Sequence, residues 1–437
     1  MRGSLRSPLV NNTFLVTTDR SEVVPICAAT GTMAFLMPPR STSKRATGRY
    51  ERPTVSGEEV AAFVPFSLPP ADPALALDLA LAERLRAAEQ ALTRLDLAGE
   101  MVPSLDWFIY AFVRKEAVLS LQIEGTQATL VDLLTFEAEE SAAANADVEE
   151  VCNYLDALAY ARGQLSDPQG LPLSMRLLNE THQRLMRGVR GAEKLPGEVR
   201  RSQNWIGGTR PGNAVYVPPP PHVLAEVLSS FERYLHAEDK FLPPLVRAGL
   251  LHVQFETIHP YLDGNGRIGR LLVTLLLEHW KLLAKPLLYM SLFFKRHRDD
   301  YYRRLSAVRV EGDWEAWTNF FLDGVATIAD EAVASARDLF ALVTVDRARV
   351  LQHDTTSVAA VRLFELLPRH PLVSVASVMK LIDTSKPTAA RAIDTLTGAG
   401  VLIETTGKKR DRWYSYQGYI ERLRVGTDLT IREFGRR

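Results

Sequence analysis

The sequence predicts a mainly α-helical protein: a helical bundle broken by one short β-hairpin flap, with a winged helix-turn-helix domain at its C-terminal end. Three observations predict it. Apolar residues recur at helical spacing over most of the 437 residues. That periodicity stops once in the middle, at "RRSQNWIGGTRPGNAVYVPPPP", where β-formers flank a turn-rich "GGTRPGN". The last part of the chain reads helix, helix, turn, helix, wing. Hydrophobic residues make up 46% and charged residues 24%, enough for a sizeable core. The length suggests about two to four domains.

Residues 1–45 lack a basic stretch followed by a clean apolar run, so they are expected to form a disordered tail rather than a leader. Met33 and Met37 lie close to the point where domain-like sequence begins. Residues 46–140 are expected to be a helical N-terminal region. Its start, "GRYERP" to "FSLPP", is Pro-rich and reads as irregular. "DPALALDLALAERLRAAEQALTRLDLAG" reads as a helix with Asp72 as N-cap and Gly99 as C-cap. "SLDWFIYAFVRKEAVLSLQIEG" is a second helix ended by Gly125, and "TLVDLLTFEAEE" a short third.

Residues 141–330 hold the candidate catalytic core, 331–355 a connecting helix and 356–437 the winged domain with its tail. In the core, "DVEEVCNYLDALAYARGQL" and "SMRLLNETHQRLMRGV" precede the flap. "HVLAEVLSSFERYLHAE", "PLVRAGLLHVQFETI", "IGRLLVTLLLEHWKLL" and the stretch from Asp299 to Leu342 follow it. In the winged domain, Ser385 caps the presumed recognition helix and Pro387 sits in its first turn. "VLIETTGKKRDRWYSY" alternates like a two-stranded wing.

Several classes are excluded. Formal net charge is +0, so no overall basic balance argues for nucleic acid. Cys27 and Cys152 are too few for a disulfide scaffold or a Cys-based zinc site, and they suit a reducing, cytoplasmic setting. The richest apolar stretch, residues 271–294, is interrupted by Glu278, His279, Lys281 and Lys285, so no membrane span is expected.

The chemistry gathers in "HPYLDGNGRIGR", residues 259–270. One helix must end before Pro260, and the next begins after the glycines. N–H groups at that helix start have no partner within the helix and favour an anion. Gly264 and Gly266 let backbone approach a ligand closely. Arg267 and Arg270 are three apart and share a face, where two guanidinium groups can grip phosphates. Asp263 can hold Mg²⁺ through phosphates. His259 is a base suited to neutral pH. Any two of these residues could be a helix connector with surface ion pairs; the full set argues for a phosphate site.

This stretch resembles the Fic family signature, His-Pro-Phe-x-(Asp/Glu)-Gly-Asn-Gly-Arg-x-x-Arg, and departs from it only at Tyr261, which keeps an aromatic ring. The resemblance extends from about residue 46 to the winged helix, and it makes the expected bundle Fic-type. It implies a Mg²⁺- and ATP-dependent protein adenylyltransferase that moves AMP onto a Ser, Thr or Tyr hydroxyl of a target protein, with pyrophosphate leaving. His259 would take the hydroxyl proton. Asp263 would hold Mg²⁺ on the α and β phosphates. Gly264, Asn265, Gly266 and Arg267 would cradle those phosphates, with Ile268 and Gly269 in the same binding stretch. Arg270 would reach the γ phosphate.

Ser120 and Glu124 are four apart on one helix face, followed by Gly125. Alone this is an ordinary amphipathic helix end. Beside the signature it resembles the family's inhibitory motif, Ser/Thr-x-x-x-Glu-Gly/Asn. Arg270 can pair with Glu124 or with the γ phosphate, so the resemblance implies autoinhibition. In some relatives the same Glu supports AMP removal, and that direction stays open.

Other sites follow from both readings. The flap, with Trp205, Ile206, Gly207 and Gly208, could add a strand of the target or cover the nucleotide, or be a structural hairpin. Tyr302, next to Tyr301, matches a Tyr pair on the adenine side in relatives. His252, His279 and His297 lack ligand-like spacing and read as structural or exposed. Lys386, Arg391, Lys408, Lys409, Arg410 and Arg412 make the winged domain basic enough for phosphate contacts on DNA, although Asp394, Glu404 and Asp411 intersperse. Self-modification, a homodimer, and a regulator whose core only senses nucleotide stay open at this stage.

Overall fold

The computed structural model describes residues 45–101, 105–139, 145–239 and 241–429. The expected tail, up to residue 44, lies outside them, as does Cys27.

The Pro-rich start is not irregular. β1 (Gly48–Glu51) pairs antiparallel with β4 (Ala62–Pro65), and β2 (Thr54–Val55) with β3 (Glu58–Glu59). Ser56 and Gly57 both have positive φ, 50° and 84°, which matches a tight hairpin turn to the strand twist. The prolines do not block it: Pro53 lies between β1 and β2, and Pro65 is the last residue of β4.

α1 (Leu79–Met101) packs along α11 (Trp314–Gln352). The helix begins later than Asp72, because Asp78 Oδ1 accepts the Leu81 N–H at 2.8 Å and caps it. It also runs through Gly99, which is not its end. α2 (Leu105–Ile123) stops where Gly125 takes φ +97°. α3 (Leu130–Ala138) opens on a Thr129–Asp132 capping box. α4 (Ala146–Ser166) and α5 (Met175–Leu185) lie side by side.

The expected hairpin flap is looser than a ladder. It holds one β-bridge, Ile206 to Tyr216, around a 3₁₀ turn at Pro211–Asn213. Four consecutive prolines, Pro218–Pro221, cannot donate the bonds that would extend the pairing.

α6 (Leu224–His236), α7 (Pro244–Ile258) and α8 (Asn265–His279) follow. α7 is the core element: every residue from Leu245 to Ile258 is buried. Each large apolar side chain there stabilises the fold by about 1.5–3 kcal/mol. α9 (Ser291–Arg296) and α10 (Arg298–Glu311) lead into α11, which crosses residues 330 and 331 without a break.

The C-terminal part reads α12 (Val358–Leu366), β5 (Leu372–Ser374), α13 (Val375–Leu381), α14 (Lys386–Gly398), β6 (Ile403–Glu404), β7 (Trp413–Ser415) and α15 (Gln417–Leu423). Its sheet runs β5-β7-β6, all antiparallel. Ser385 stands at the N-cap of α14, although its side chain makes no capping bond. An ion pair and a hydrogen bond tie the α15 region to α11: Arg422 to Asp338 at 3.0 Å, and the Tyr416 hydroxyl to Asp346 at 2.9 Å. No helix among the described residues is long and apolar enough to cross a membrane.

Candidate active site

The site forms where α7 ends and α8 begins. Pro260 stops α7, and His259 takes a left-handed conformation with φ 51° and ψ 62°. This is uncommon for a side chain bearing Cβ, and such backbone tends to persist where surrounding contacts hold it. Arg200 supplies those contacts: its Nε donates to the His259 carbonyl at 2.9 Å and its backbone N–H to the Pro260 carbonyl at 2.9 Å. Arg200 is 2% exposed, and burial pushes its guanidinium down to about 10.

His259 Nδ1 lies 3.3 Å from the Glu256 carbonyl. A carbonyl only accepts, so Nδ1 carries the proton and Nε2 keeps its lone pair. Burial, helped by the nearby Arg200 charge, holds the imidazole down at about 4. It is therefore a neutral base at physiological pH.

The loop between the helices is pinned by its own Asn. Asn265 Oδ1 accepts from the Tyr261 N–H and its Nδ2 donates to the Tyr261 carbonyl, both at 2.8 Å. The Asn265 side chain is thus engaged within the loop itself. Tyr261 is buried, stacks on His182 with centroids 3.9 Å apart, and donates its hydroxyl to Asn179 at 2.8 Å. His182 Nδ1 accepts the Gly197 N–H at 2.8 Å, so Nε2–H donates to the Asp263 carbonyl at 3.0 Å. Gly264 then turns the chain at φ +75°, and the N–H groups of the first turn of α8 open outwards.

Arg267 is 3% exposed. It approaches Asp263 at 3.4 Å and Glu150 at 3.5 Å, and two of its nitrogens, Nε and NH1, have no hydrogen-bond partner. A buried guanidinium left this way is suited to an incoming anion. Asp263 accepts from the Gly264 N–H at 2.7 Å and pairs with Lys194 at 3.0 Å. Burial opposes its charge, but Lys194, Arg267 and the Gly264 N–H hold the carboxyl below its usual range.

No group of three or more His, Cys, Asp or Glu that could hold a metal converges among the described residues. Asp263 is a single, partly exposed carboxylate beside the anion turn. That donor set suits a hard cation which keeps its waters and shares phosphate oxygens, and it does not suit zinc.

Arg270 is also 3% exposed. Its Nε donates to Ser120 Oγ and its NH2 to the Ser120 carbonyl, both at 2.9 Å; NH2 also meets Glu124 Oε1 at 2.7 Å. Glu124 is pushed up by burial, yet the Arg270 charge and hydrogen bond, with Arg267 and His259 beside it, bring it below its normal range. Arg270 is thus the signature side chain in direct contact with this carboxylate. Gly266 makes this approach feasible, since a Cβ there would overlap Glu124 Oε1.

Some expected residues lie elsewhere. Ile268 is fully buried in the core, and Gly269 packs against Phe255 and Glu256, with its carbonyl 2.9 Å from His252 Nδ1. His252 is structural, held also by the Tyr301 hydroxyl at 2.9 Å; His279 and His297 are exposed. Tyr302 is 41% exposed, packs against Tyr301 with ring centroids 5.2 Å apart, and has its hydroxyl pushed up to about 12 by burial. The flap is tied in from below: Tyr216 donates to the Thr257 carbonyl at 2.6 Å and Arg200 to the Pro219 carbonyl at 2.6 Å. Gly207 and Gly208 take φ 68° and 72°, and Trp205 is partly exposed. Sequence reasoning missed Arg200, His182, Asn179, Lys194 and Glu256. The first four are lone polar residues far from the signature, and no local pattern marks them. Glu256 is the exception, three residues before His259. It is 9% exposed, its Oε1 has no partner, and burial raises it to about 7.

Fold and site define a helical protein in which a neutral, buried imidazole ends one helix and a glycine turn with two buried arginines opens the next. The chain carries two regions of the Fic/DOC family: residues 82–162 match the Fic/DOC family N-terminal region and residues 172–277 the Fic/DOC family itself. It is 30% identical over 224 residues to the protein adenylyltransferase Fic of Drosophila erecta, a match that covers 50% of this chain and 42% of that protein. The adenylyltransferase Fic of Culex quinquefasciatus is 31% identical over 208 residues, 47% of this chain and 38% of its own length. The chain thus spans less than half the length of these curated relatives. The crystal structure of a Fic family protein from Desulfovibrio desulfuricans superposes with a TM-score of 0.50 at 20% identity, over 78% of this chain and 97% of that one, which concerns the fold alone.

Proposed function

We propose that the protein is an autoinhibited protein adenylyltransferase that moves AMP from ATP to a Ser, Thr or Tyr hydroxyl of a target protein or of itself. In this reading His259 Nε2 takes the hydroxyl proton as the oxygen attacks the α phosphorus, and pyrophosphate leaves. The first-turn N–H groups of α8 and Arg267 hold the phosphates, and Arg270 reaches the γ phosphate. Magnesium, held by Asp263 together with phosphate oxygens, would supply positive charge against the triphosphate. The flap aligns the target segment. Glu124 restrains the reaction by keeping Arg270.

The observation that carries the reading is the buried Arg270 guanidinium held 2.7 Å from the Glu124 carboxylate, on the helix that begins just after the neutral His259 imidazole. A general base contributes about 10²–10⁴-fold. Incubation with α-labelled ATP is the test. Label should appear on protein, more strongly with Glu124→Gly, and fall at least about 100-fold with His259→Ala. Equal label with and without the imidazole would remove the reading.

A further inference from the structure

The turn that carries Glu124 is held from the far end of the chain. Gln122, two residues before Glu124, is 3% exposed. Its side-chain amide makes three hydrogen bonds. Nε2 donates to the Ala128 carbonyl at 2.9 Å and to the Thr427 carbonyl at 2.8 Å. Oε1 accepts from Lys295 Nζ, on α9, at 2.8 Å. Two carbonyls on one side and an ammonium on the other fix which way the amide points. The same Lys295 Nζ donates to the Asp428 carbonyl at 3.0 Å, so it bridges the amide to the C-terminal segment a second time.

The residues on either side make this more than packing. Upstream, Ser120 holds Arg270. Downstream, the turn closes by Glu124 N–H to the Leu121 carbonyl at 2.9 Å, Gly125 N–H to the Gln122 carbonyl at 3.1 Å and Thr126 N–H to the Leu121 carbonyl at 3.2 Å. The bond from Gln122 to Ala128 spans that turn from outside. At the other end, the segment after α15 turns at Gly426, φ +86°, and Thr427 donates from both its N–H and its hydroxyl to the Arg424 carbonyl, at 2.8 and 2.7 Å. Thr427 is 1% exposed. The α15 region is itself fixed to α11 through Arg422 and Tyr416. A continuous set of contacts therefore runs from the C-terminal part, through residues 424–428 and Gln122, to the Glu124 turn.

We propose that Gln122 is a positioning residue which lets the C-terminal segment set how firmly Glu124 holds Arg270. Displacing residues 424–428 removes one acceptor of the amide and one of Lys295, and the Glu124 turn loosens. Whatever binds or shifts the C-terminal part then changes AMP transfer without touching the nucleotide. This rests on the proposed inhibitory role of Glu124.

Two variants cut the link from opposite ends in the full chain. Gln122→Leu removes the amide. Gly426→Val puts a side chain at positive φ and against Leu292, and so moves the C-terminal segment while leaving Gln122 intact. Loss of one to two such bonds is expected to raise labelled-AMP transfer about three- to tenfold. Neither variant should raise it further in a Glu124→Gly background, which a merely structural role would not foresee. Hydrogen exchange gives a readout independent of activity: the amides of Glu124, Gly125 and Thr126 should exchange about three- to tenfold faster in both variants. Unchanged exchange overturns the coupling, as does a rate gain that persists without Glu124. Faster exchange with no gain from Glu124→Gly itself would keep the coupling and sink the inhibitory reading. A thermal melt identifies a variant that has not folded, and the other variant then decides.

Discussion

Replacing Glu124 with Gly should release a working enzyme, and the structure bounds by how much. Arg270 makes three contacts, two to Ser120 and one to Glu124. The substitution removes only the last, so the guanidinium stays oriented by Ser120. A hydrogen bond to a charged group is worth about 1.5–3 kcal/mol. The Glu124 side chain is 34% exposed, so water screens part of that and about 1–2 kcal/mol is the better range. At about 1.4 kcal/mol per factor of ten, transfer should rise roughly 5- to 30-fold. The assay is the initial rate of label incorporation from α-labelled ATP, with ATP affinity measured alongside by calorimetry. Affinity should rise as well, since Arg270 no longer has to leave a carboxylate. In an Arg270→Ala background the gain should vanish, because Glu124 acts through that guanidinium. Equal rates for wild type and Glu124→Gly, or an undiminished gain without Arg270, would refute the reasoning.

Three further outcomes follow from the same geometry. His259 is held at about 4 mainly by burial, so the acid limb of kcat/KM should fall near pH 4–5; a limb near 6.5 would mean the imidazole is not shielded as described. Glu116 is raised to about 7 by burial, although Ser291 donates to it. A carboxyl whose folded value is raised stabilises below its unfolded value of about 4.5 and loses that contribution as pH rises through 7. Thermal melts of Glu116→Gln and wild type should therefore shift in favour of the variant between pH 5 and 8, and a constant difference would count against the assignment. Lys194 pairs with an oxygen of Asp263, the carboxylate proposed to hold a divalent ion. Lys194→Met should tighten Mn²⁺ binding in the presence of ATP by a few-fold, as read by electron paramagnetic resonance; Arg190→Met, which removes a charge from the same loop, should not match it.

Legibility differs sharply between the parts of the molecule. The helix pair around the turn is readable because one short segment holds Pro260, Gly264, Gly266, two arginines and His259, each with its own backbone or charge consequence. Ser120 and Glu124 are readable only beside that segment, since four-residue spacing on a helix is common. The β1–β4 hairpin is not readable. Its strands are two to four residues long, and its prolines lie outside or at the ends of the pairing, where they do no harm. The start of α1 is misplaced at Asp72 in the sequence because an acid before an apolar run does not show which residue will cap the helix, and it is Asp78 that accepts the Leu81 N–H. Arg200 and His182 are invisible for a different reason. Each acts by donating to a backbone carbonyl of the signature loop, and sequence does not say which carbonyl will be near.

The two uses proposed for Arg270 are compatible because Ser120 does the holding. A buried guanidinium with no fixed partner would be costly and free to choose its rotamer. With Nε and NH2 committed to Ser120, the rotamer is set whether or not Glu124 is present. On the proposed function, inhibition and catalysis would differ in a single acceptor, a carboxylate oxygen or a phosphate oxygen, at one NH2 group. Gly266 lies directly beneath that exchange, and a Cβ there would overlap Glu124 Oε1 and approach Arg270 NH1 to 3.0 Å. A switch built on one acceptor needs little motion, and on the proposed function a small displacement of the Glu124 turn would change its state.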